Sequence, residues 1–174
     1  KPEVLQAGLG VCRVPPIVNY ISIEDFRLRE MLPLAAEYNC AVALLVSNPT
    51  SPTDAVEMLE KSAVLVGAAN AAGIKNENIM VDPGLVHVTH DCGQRHLAEV
   101  RKFLKEMFEP PVKSVCWLSN ASSGASREVR RMIDTALLPT LAGWGLDAVF
   151  LKMQDIESMR SLNLVRIFNN ECVY

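Results

Sequence analysis

The sequence predicts an α/β protein whose strands form one parallel sheet. Short β-branched runs alternate with longer segments of helical period, in units of roughly 30–40 residues. The runs are apolar along nearly their whole length, which is typical of parallel strands covered on both faces. Two architectures have this pattern, an open doubly wound sheet and a (β/α)8 barrel. Neither GxGxxG nor GxxxxGK[ST] is present, which disfavours a nucleotide-binding open sheet.

The first four elements are marked by proline positions and by apolar spacing. Residues 2–13 are predicted to form a helix, and PPIVNYIS (15–22) a strand, since its prolines fit only at the strand's start. Apolar residues recur at helical spacing over 24–38. AVALLVS (41–47) is a nearly continuous apolar strand, so the chain opens with two helix–strand pairs.

The middle of the chain repeats the pattern. Ser-Pro-Thr-Asp at 51–54 predicts the start of a long helix that reaches about Ala72 and is closed by Gly73. NIMVD (78–82) is the next strand, and a Pro-Gly loop separates it from a helix at about 93–108. Two prolines then lead into KSVCWLS (113–119), the fourth predicted strand.

The last elements complete a single domain over residues 1–174. A helix is predicted at 127–142, a strand at 147–152 and a helix at 155–168, and no linker or low-complexity tract interrupts them. With 49% hydrophobic and 21% charged residues, the composition is that of about one globular domain.

Charge and hydropathy exclude several classes of protein. The net charge is −3 and the basic residues are spread along the chain, which argues against a nucleic-acid surface. No apolar run approaches the ~18 residues of a membrane helix, and no signal segment is present. Five widely spaced cysteines without a CxxC pair indicate free, mostly buried thiols and a cytoplasmic protein.

Polar side chains stand at or near the carboxyl end of each predicted strand. They are Asn19, Ser47 with Asn48, Asp82, Ser119 with Asn120, and Lys152. In a barrel these ends surround one mouth, where such enzymes place their chemistry. Amides and a carboxylate there suit a ligand rich in N–H and C=O groups, such as a pterin or purine ring. The alternative is that each Asn or Asp is only a turn or cap residue.

A group of His and Cys residues and one arginine are further candidates for ligand binding. His87, His90, Cys92 and His96 do not match zinc-ligand spacing cleanly, so no metal site is predicted. Arg127 begins the helix after the fourth strand and is a candidate contact for an anion or a partner protein; the alternative is a solvated helix face.

Several segments, in order, resemble the methyltetrahydrofolate:corrinoid protein methyltransferases. The most specific are the Asp-Pro of NIMVDPGL and the Leu-Ser-Asn of KSVCWLSNASSGASR, and PPIVNYIS, HLAEVRKFLKEMF and GLDAVF support them. These enzymes are pterin-binding (β/α)8 barrels related to the folate domain of cobalamin-dependent methionine synthase and, more distantly, to dihydropteroate synthase.

The resemblance implies that only the C-terminal five β/α units of the barrel are present. The family's first three strands are missing, including a pterin-binding Asp expected upstream of Lys1. We expect the sequence to be a C-terminal portion rather than a chain that completes its barrel with a partner.

The resemblance also implies roles for individual residues. Asn19 is similar to the family's Asn that hydrogen-bonds the pterin ring, and Asp82 to the carboxylate that accepts N–H groups from its pyrimidine part. Asn120 is similar to the catalytic Asn near N5, the nitrogen that carries the methyl group. Asn48 stands where the family also has polar residues.

The implied activity is transfer of the N5-methyl group between methyltetrahydrofolate and the cobalt of a corrinoid. No DxHxxG signature of a corrinoid domain is present, so the cobalamin is expected on a separate corrinoid protein. The family analogy suggests a homodimer. Trp117 replaces a usual Gly and Lys152 a typical Asp, which puts the substrate in question. A dihydropteroate synthase-like enzyme and a non-catalytic pterin- or corrinoid-protein-binding homologue therefore remain alternatives.

Overall fold

The sequence folds into five parallel strands that alternate with six helices in the part of the chain that the structure describes. The structure is a computed structural model, and it describes residues 2–24, 26–48, 50–90 and 93–171. The strands are β1 (Ile17–Ile21), β2 (Ala41–Leu45), β3 (Ile79–Asp82), β4 (Lys113–Trp117) and β5 (Ala148–Phe150). The helices are α1 (Pro2–Val11), α2 (Leu32–Glu37), α3 (Ala55–Ala71), α4 (His96–Met107), α5 (Arg127–Gly143) and α6 (Ile156–Phe168).

The order of the strands identifies the architecture. Neighbours in the sheet follow the chain order β1-β2-β3-β4-β5, and all four pairs are parallel. An open doubly wound sheet would reverse its order at a switch point, whereas a (β/α)8 barrel adds strands in sequence. The described strands therefore form a half-barrel, and the open-sheet alternative is excluded.

A contact across the sheet shows its curvature. The rings of Tyr20, in β1, and Trp117, in β4, lie 6.3 Å apart although β2 and β3 separate the two strands. Three strand spacings in a flat sheet would cover about 14 Å, so the contact fits a sheet that curls around an inner face.

Alternation along each strand separates an outer face from that inner face. Val42, Leu44, Ile79 and Val81 are fully buried and pack against the helices. The residues between them point to the inner face, which at the carboxyl ends carries Asp82, Trp117 and Phe150. The inner face thus holds the polar and aromatic residues, and the outer face holds the core.

The buried apolar residues form two clusters. The residues of β1–β3 and α1–α4 form one group, which we call the amino-terminal cluster. The residues of β4, β5, α5 and α6 form the other, which we call the carboxy-terminal cluster. Helix α4 contributes to both, through Val100 and Leu104 to the first and Leu97 to the second.

Several element boundaries differ from the prediction for local reasons. Strand β1 begins at Ile17, since the prolines before it cannot donate to the ladder. The helix predicted at 24–38 contains a π-helical turn, Arg27–Met31, just before Pro33, whose missing N–H removes one α-helical hydrogen bond. Strand β4 ends at Trp117, because Leu118–Asn120 turn away as a 3-10 helix. Strand β5 covers only Ala148–Phe150, at the edge of the sheet.

Two observations bear on the other sequence predictions. Cys12 is a free, exposed thiol and Cys40 and Cys116 are free and buried; Cys92 and Cys172 lie outside the described residues. Among the described helices, none is long and apolar enough to cross a bilayer.

Candidate functional site

Asp82, the last residue of β3, is a buried carboxylate with one oxygen left unbound. It is 1% exposed, and its Oδ1 accepts a hydrogen bond from the Gly84 N–H at 2.8 Å. Its Oδ2 has no hydrogen-bond partner among the described residues. Burial raises the pKa of Asp82 to about 6, and the Gly84 hydrogen bond only partly opposes this. A ligand with N–H groups could supply what Oδ2 lacks.

The turn after β3 holds this carboxylate in place. Gly84 has φ +74°, and a Cβ on it would lie 2.8 Å from the Cβ of Ser47, so the turn requires glycine. The His96 ring, whose pKa is lowered by burial, donates from Nε2 to the Gly84 carbonyl at 2.9 Å. Gly84 is thus fixed from both sides, by the His96 ring and by Asp82.

Asn120 lies at the end of the 3-10 turn that follows β4. Two contacts tie the loop after β3 to this loop: Val88 N–H donates to the Ala121 carbonyl at 2.9 Å, and His87 Nε2 donates to the Ser123 carbonyl at 2.6 Å. Asn120 itself is exposed. These contacts hold the loop that carries Asn120 against the loop that follows β3.

Tyr20 also lies on the inner face, although no pattern in the sequence predicted it as a site residue. The β1–β2 register shifts between Asn19 and Ile21, and Tyr20, at the shift, has φ 59°. Burial and then the nearby Asp82 charge raise the pKa of the Tyr20 phenol, and a hydrogen bond from the Asn120 side chain opposes them. Strict alternation would point Tyr20 toward the helices; the bulge turns it to the inner face instead.

An aromatic row crosses the mouth of the half-barrel. Trp117 and Phe150 are paired in register, with ring centroids 4.9 Å apart and planes inclined by 30°. Tyr20 stacks on the other side of Trp117 at 6.3 Å, with 26° between planes. The Trp117 Nε1 is buried and lacks a hydrogen-bond partner within the described part of the chain.

Asn19 and Asn48 form mainly local hydrogen bonds. Asn19 Oδ1 accepts from the Tyr20 N–H at 2.8 Å, next to the bulge. Asn48 donates from Nδ2 to both Glu57 carboxylate oxygens, at 2.9 and 3.0 Å, and its Oδ1 accepts from the Thr50 N–H and hydroxyl. Both polar atoms of Asn48 are thus bonded, to Glu57 on α3 and to Thr50 in its own loop, and no hydrogen bond joins Asn48 to Asp82 or Asn120 among the described residues.

Arg127 lines a separate basic cavity of about 620 Å³ between the first turns of α5 and α6. Arg130, Arg131, Lys152 and Arg160 also line it, with Asp155 and Glu157. Glu157 pairs with Arg160 at 3.0 Å and with Arg131 at 3.8 Å. Neither Arg127 nor Lys152 forms a salt bridge in the described residues, so the cavity keeps positive charge available for an anion.

Two of the histidines in the sequence, His87 and His96, form hydrogen bonds with loop residues. Besides its bond to Ser123, His87 Nδ1 contacts the Thr89 hydroxyl at 2.7 Å, and His96 contacts Gly84. The described residues contain no group of three or more His, Cys, Asp or Glu side chains placed to hold a metal, and Cys92 lies outside them.

Comparison with known proteins places this geometry in a family. The model of the family described as pterin binding enzyme matches residues 1–151. The structure of dihydropteroate synthase from Xanthomonas albilineans with 4-aminobenzoic acid is similar with a TM-score of 0.71 at 16% identity, over 100% of this chain and 66% of that one.

Two further dihydropteroate synthases have the same fold. The enzyme from Thermus thermophilus gives a TM-score of 0.62 at 15% identity, over 97% of this chain and 70% of that chain. The Yersinia pestis enzyme with a pterine-sulfa conjugate gives 0.57 at 15% identity, over 97% and 74%. At these identities the neighbours show the fold alone. The family match covers most of the sequence, and the chain belongs to the pterin-binding enzyme family.

Proposed function

We propose that the chain binds a reduced pterin at Asp82 and moves the N5-methyl group of methyltetrahydrofolate to the cobalt of a corrinoid, or the reverse. The observation that carries the proposal is the buried, unpartnered Asp82 Oδ2 at the end of β3, next to the strand that leads to Asn120, in a member of the pterin-binding family. The pyrimidine part of a pterin presents adjacent N–H donors, which match a carboxylate whose second oxygen needs a donor.

Asp82 and Asn120 have different tasks in this reaction. Ionised Asp82 orients the ring by accepting its N–H groups. The Asn120 amide, exposed at the mouth, hydrogen-bonds N5 more strongly as charge develops there, which favours the transition state over the ground state. The bond from N5 to the methyl carbon would break with its electron pair left on N5, which would take up a proton from solvent. The pair for the new bond to the methyl carbon would come from cobalt(I), the acceptor.

The methyl acceptor is proposed to come on a partner. A corrinoid supplies a nucleophilic cobalt(I), and a separate corrinoid protein would present it to the open mouth of the barrel. Positioning of two ring systems face to face would contribute much of the rate. A homodimer and a cytoplasmic location remain part of this proposal.

A direct assay tests the proposal. The chain is titrated with methyltetrahydrofolate by calorimetry, cobalt(I) cobalamin is added, and methylcobalamin is followed by absorbance. Asn120→Ala should lose transfer by about 100-fold, as expected when one preorganised transition-state hydrogen bond is removed, while retaining most binding. The matched control is Asn169→Ala, at the end of α6. Binding that is unaffected by Asp82→Ala would contradict the assigned site.

A dihydropteroate synthase-like reaction is the second candidate, and the basic cavity favours it. Such an enzyme requires Lys and Arg side chains for a phosphate group late in the barrel, and Lys152 and Arg127 line this cavity after β4 and β5. The test mixes a phosphate-activated pterin with 4-aminobenzoic acid and measures phosphate release. Turnover here, with none in the cobalamin assay, would replace the first candidate.

The same cavity gives Arg127 a role under the first candidate. An anionic tail on the folate, or an acidic surface of the corrinoid protein, would pair with it. Arg127→Ala should weaken binding of a polyglutamylated folate by about 10- to 100-fold, as expected for one charged hydrogen bond, and leave binding of pterin alone unchanged. Folate binding without either reaction would indicate the non-catalytic alternative.

A further inference from the structure

Two inner-face residues at the mouth, Asp82 and Trp117, each have a buried polar atom that is unpaired; one atom is an acceptor and the other a donor. Asp82 Oδ2 and Trp117 Nε1 are both buried, and neither has a hydrogen-bond partner among the described residues. Buried polar groups in native proteins are almost always paired, so each such atom requires an explanation. Both belong to inner-face residues at the carboxyl ends of neighbouring strands, β3 and β4.

The side chain of Tyr20 lies on the same inner face as these two residues. The ring of Tyr20 stacks on Trp117 at 6.3 Å. Burial and then the Asp82 charge raise the pKa of the Tyr20 phenol. Tyr20 therefore lies where the proposed function places a bound ring. Its phenol, however, does not accept a hydrogen bond from the Trp117 N–H.

The backbone shows that this position of Tyr20 is imposed. Tyr20 has φ 59°, a left-handed conformation that residues other than Gly, Asn and Asp rarely adopt. It occurs at the register shift of β1, where Asn19 Oδ1 holds the Tyr20 N–H at 2.8 Å. Strained residues of this kind cluster at ligand-binding positions.

We propose that the Tyr20 ring occupies the place of a bound heterocycle, and that Trp117 is a ligand-reading residue whose Nε1–H donates to that heterocycle once Tyr20 has moved. The inference rests on the proposed pterin site and adds two residues to it. The ligand it selects is a flat ring with N–H donors on one edge, for Asp82, and a hydrogen-bond acceptor within reach of the indole. A pterin, with its amino group and ring nitrogens, has this pattern.

Displacement of Tyr20 lowers the apparent affinity of the wild-type protein. A ligand that binds only the open form has its affinity reduced by the fraction of molecules that are open. Removal of the ring should remove this penalty, and removal of the indole N–H should remove one ligand hydrogen bond. The two substitutions therefore change the dissociation constant in opposite directions.

The test measures pterin binding by calorimetry in Tyr20→Gly and Trp117→Phe. Glycine suits the positive φ at position 20, so this variant removes the ring without a backbone penalty. We expect Tyr20→Gly to bind pterin about 10-fold more tightly, the factor for a form that is open about one tenth of the time. Trp117→Phe keeps a ring but not the donor, and should bind about 5- to 10-fold more weakly.

Controls separate this inference from the proposed function. Trp144→Phe, at the distant end of α5, should leave pterin affinity unchanged. In a Trp144→Phe background, Trp117 fluorescence should become more accessible to acrylamide in Tyr20→Gly, which verifies that the ring covers it. Equal or weaker pterin binding by Tyr20→Gly overturns this inference alone. Absence of pterin binding by both wild type and Tyr20→Gly overturns the proposed function, and this inference with it.

Discussion

Replacement of Asp82 by asparagine should stabilise the fold at neutral pH while weakening pterin binding. The folded-state pKa of Asp82 is raised from 3.8 to about 6 by burial. Between these two pH values, the folded protein keeps a proton on Asp82 that the unfolded chain has released. The free energy of unfolding therefore falls as pH rises through that interval. The difference of about two pH units corresponds to about 3 kcal/mol, at 1.36 kcal/mol per unit.

Asparagine has no such titration. It keeps an oxygen for the Gly84 N–H, so the short turn after β3 should persist. The free energy of unfolding of Asp82→Asn minus that of the wild type should rise by up to about 3 kcal/mol between pH 4 and pH 7. Urea denaturation at several pH values measures this difference.

The shape of the pH profile decides the outcome. Glu106→Gln, an exposed acid on α4, is the matched control and should give a nearly flat difference over the same range. A flat difference for Asp82→Asn as well would mean that the carboxyl titrates near its ordinary pKa, and would refute the argument from burial.

Three other predictions follow from the same contacts. Pterin affinity should fall as pH is lowered through about 6, because protonation of Asp82 removes an acceptor, and fluorescence titration of Asp82→Asn should show no such dependence. Gly84→Ala should lower stability in thermal denaturation by ~1–3 kcal/mol more than Gly73→Ala, since both have positive φ but only position 84 faces Ser47. Ser122→Ala should lower the free energy of unfolding by ~1–3 kcal/mol at pH 7, because it removes the 2.6 Å hydrogen bond to buried Asp134. Burial also raises the pKa of Asp134, so this loss should become smaller in acid. The control Ser123→Ala should change stability little.

Element types followed from the sequence because propensity and period agree throughout the chain. The order of the strands could not be predicted in this way, since the buried strands of an open sheet and of a barrel have the same apolar runs. Boundaries were missed where a single backbone group decides them. Pro33 interrupts the α-helical ladder near Met31, and the Leu118–Asn120 turn removes two residues from the strand predicted to reach Ser119.

The site could be predicted only in part for a related reason. Asp82 ends β3 and Asn120 closely follows β4, and parallel pairing brings the carboxyl ends of these two strands to one edge of the sheet. Asn48 follows a strand too, yet Glu57 and Thr50 satisfy its amide, and those partners depend on a loop that periodicity does not describe. Tyr20 was missed because period-two alternation places it on the wrong face, and only the bulge reverses that. Trp117, which departs from the Gly usual in the family that the sequence resembles, packs between the rings of Tyr20 and Phe150.

The two separate apolar clusters have a consequence for how the molecule opens. Cooperative unfolding units tend to coincide with contiguous packed regions, and those with fewer buried contacts exchange their amide hydrogens first. The carboxy-terminal cluster is the smaller one, and β5 has no fully buried residue. Sub-global opening should therefore begin at β5 and α6 while β2 and β3 stay protected. Trp117 and Phe150 lie on strands of the carboxy-terminal cluster, and Asp82 lies on a strand of the amino-terminal cluster. Once the opening includes β4, it would split the mouth along the β3–β4 boundary. A ligand that spans this boundary would slow hydrogen exchange on both sides of it.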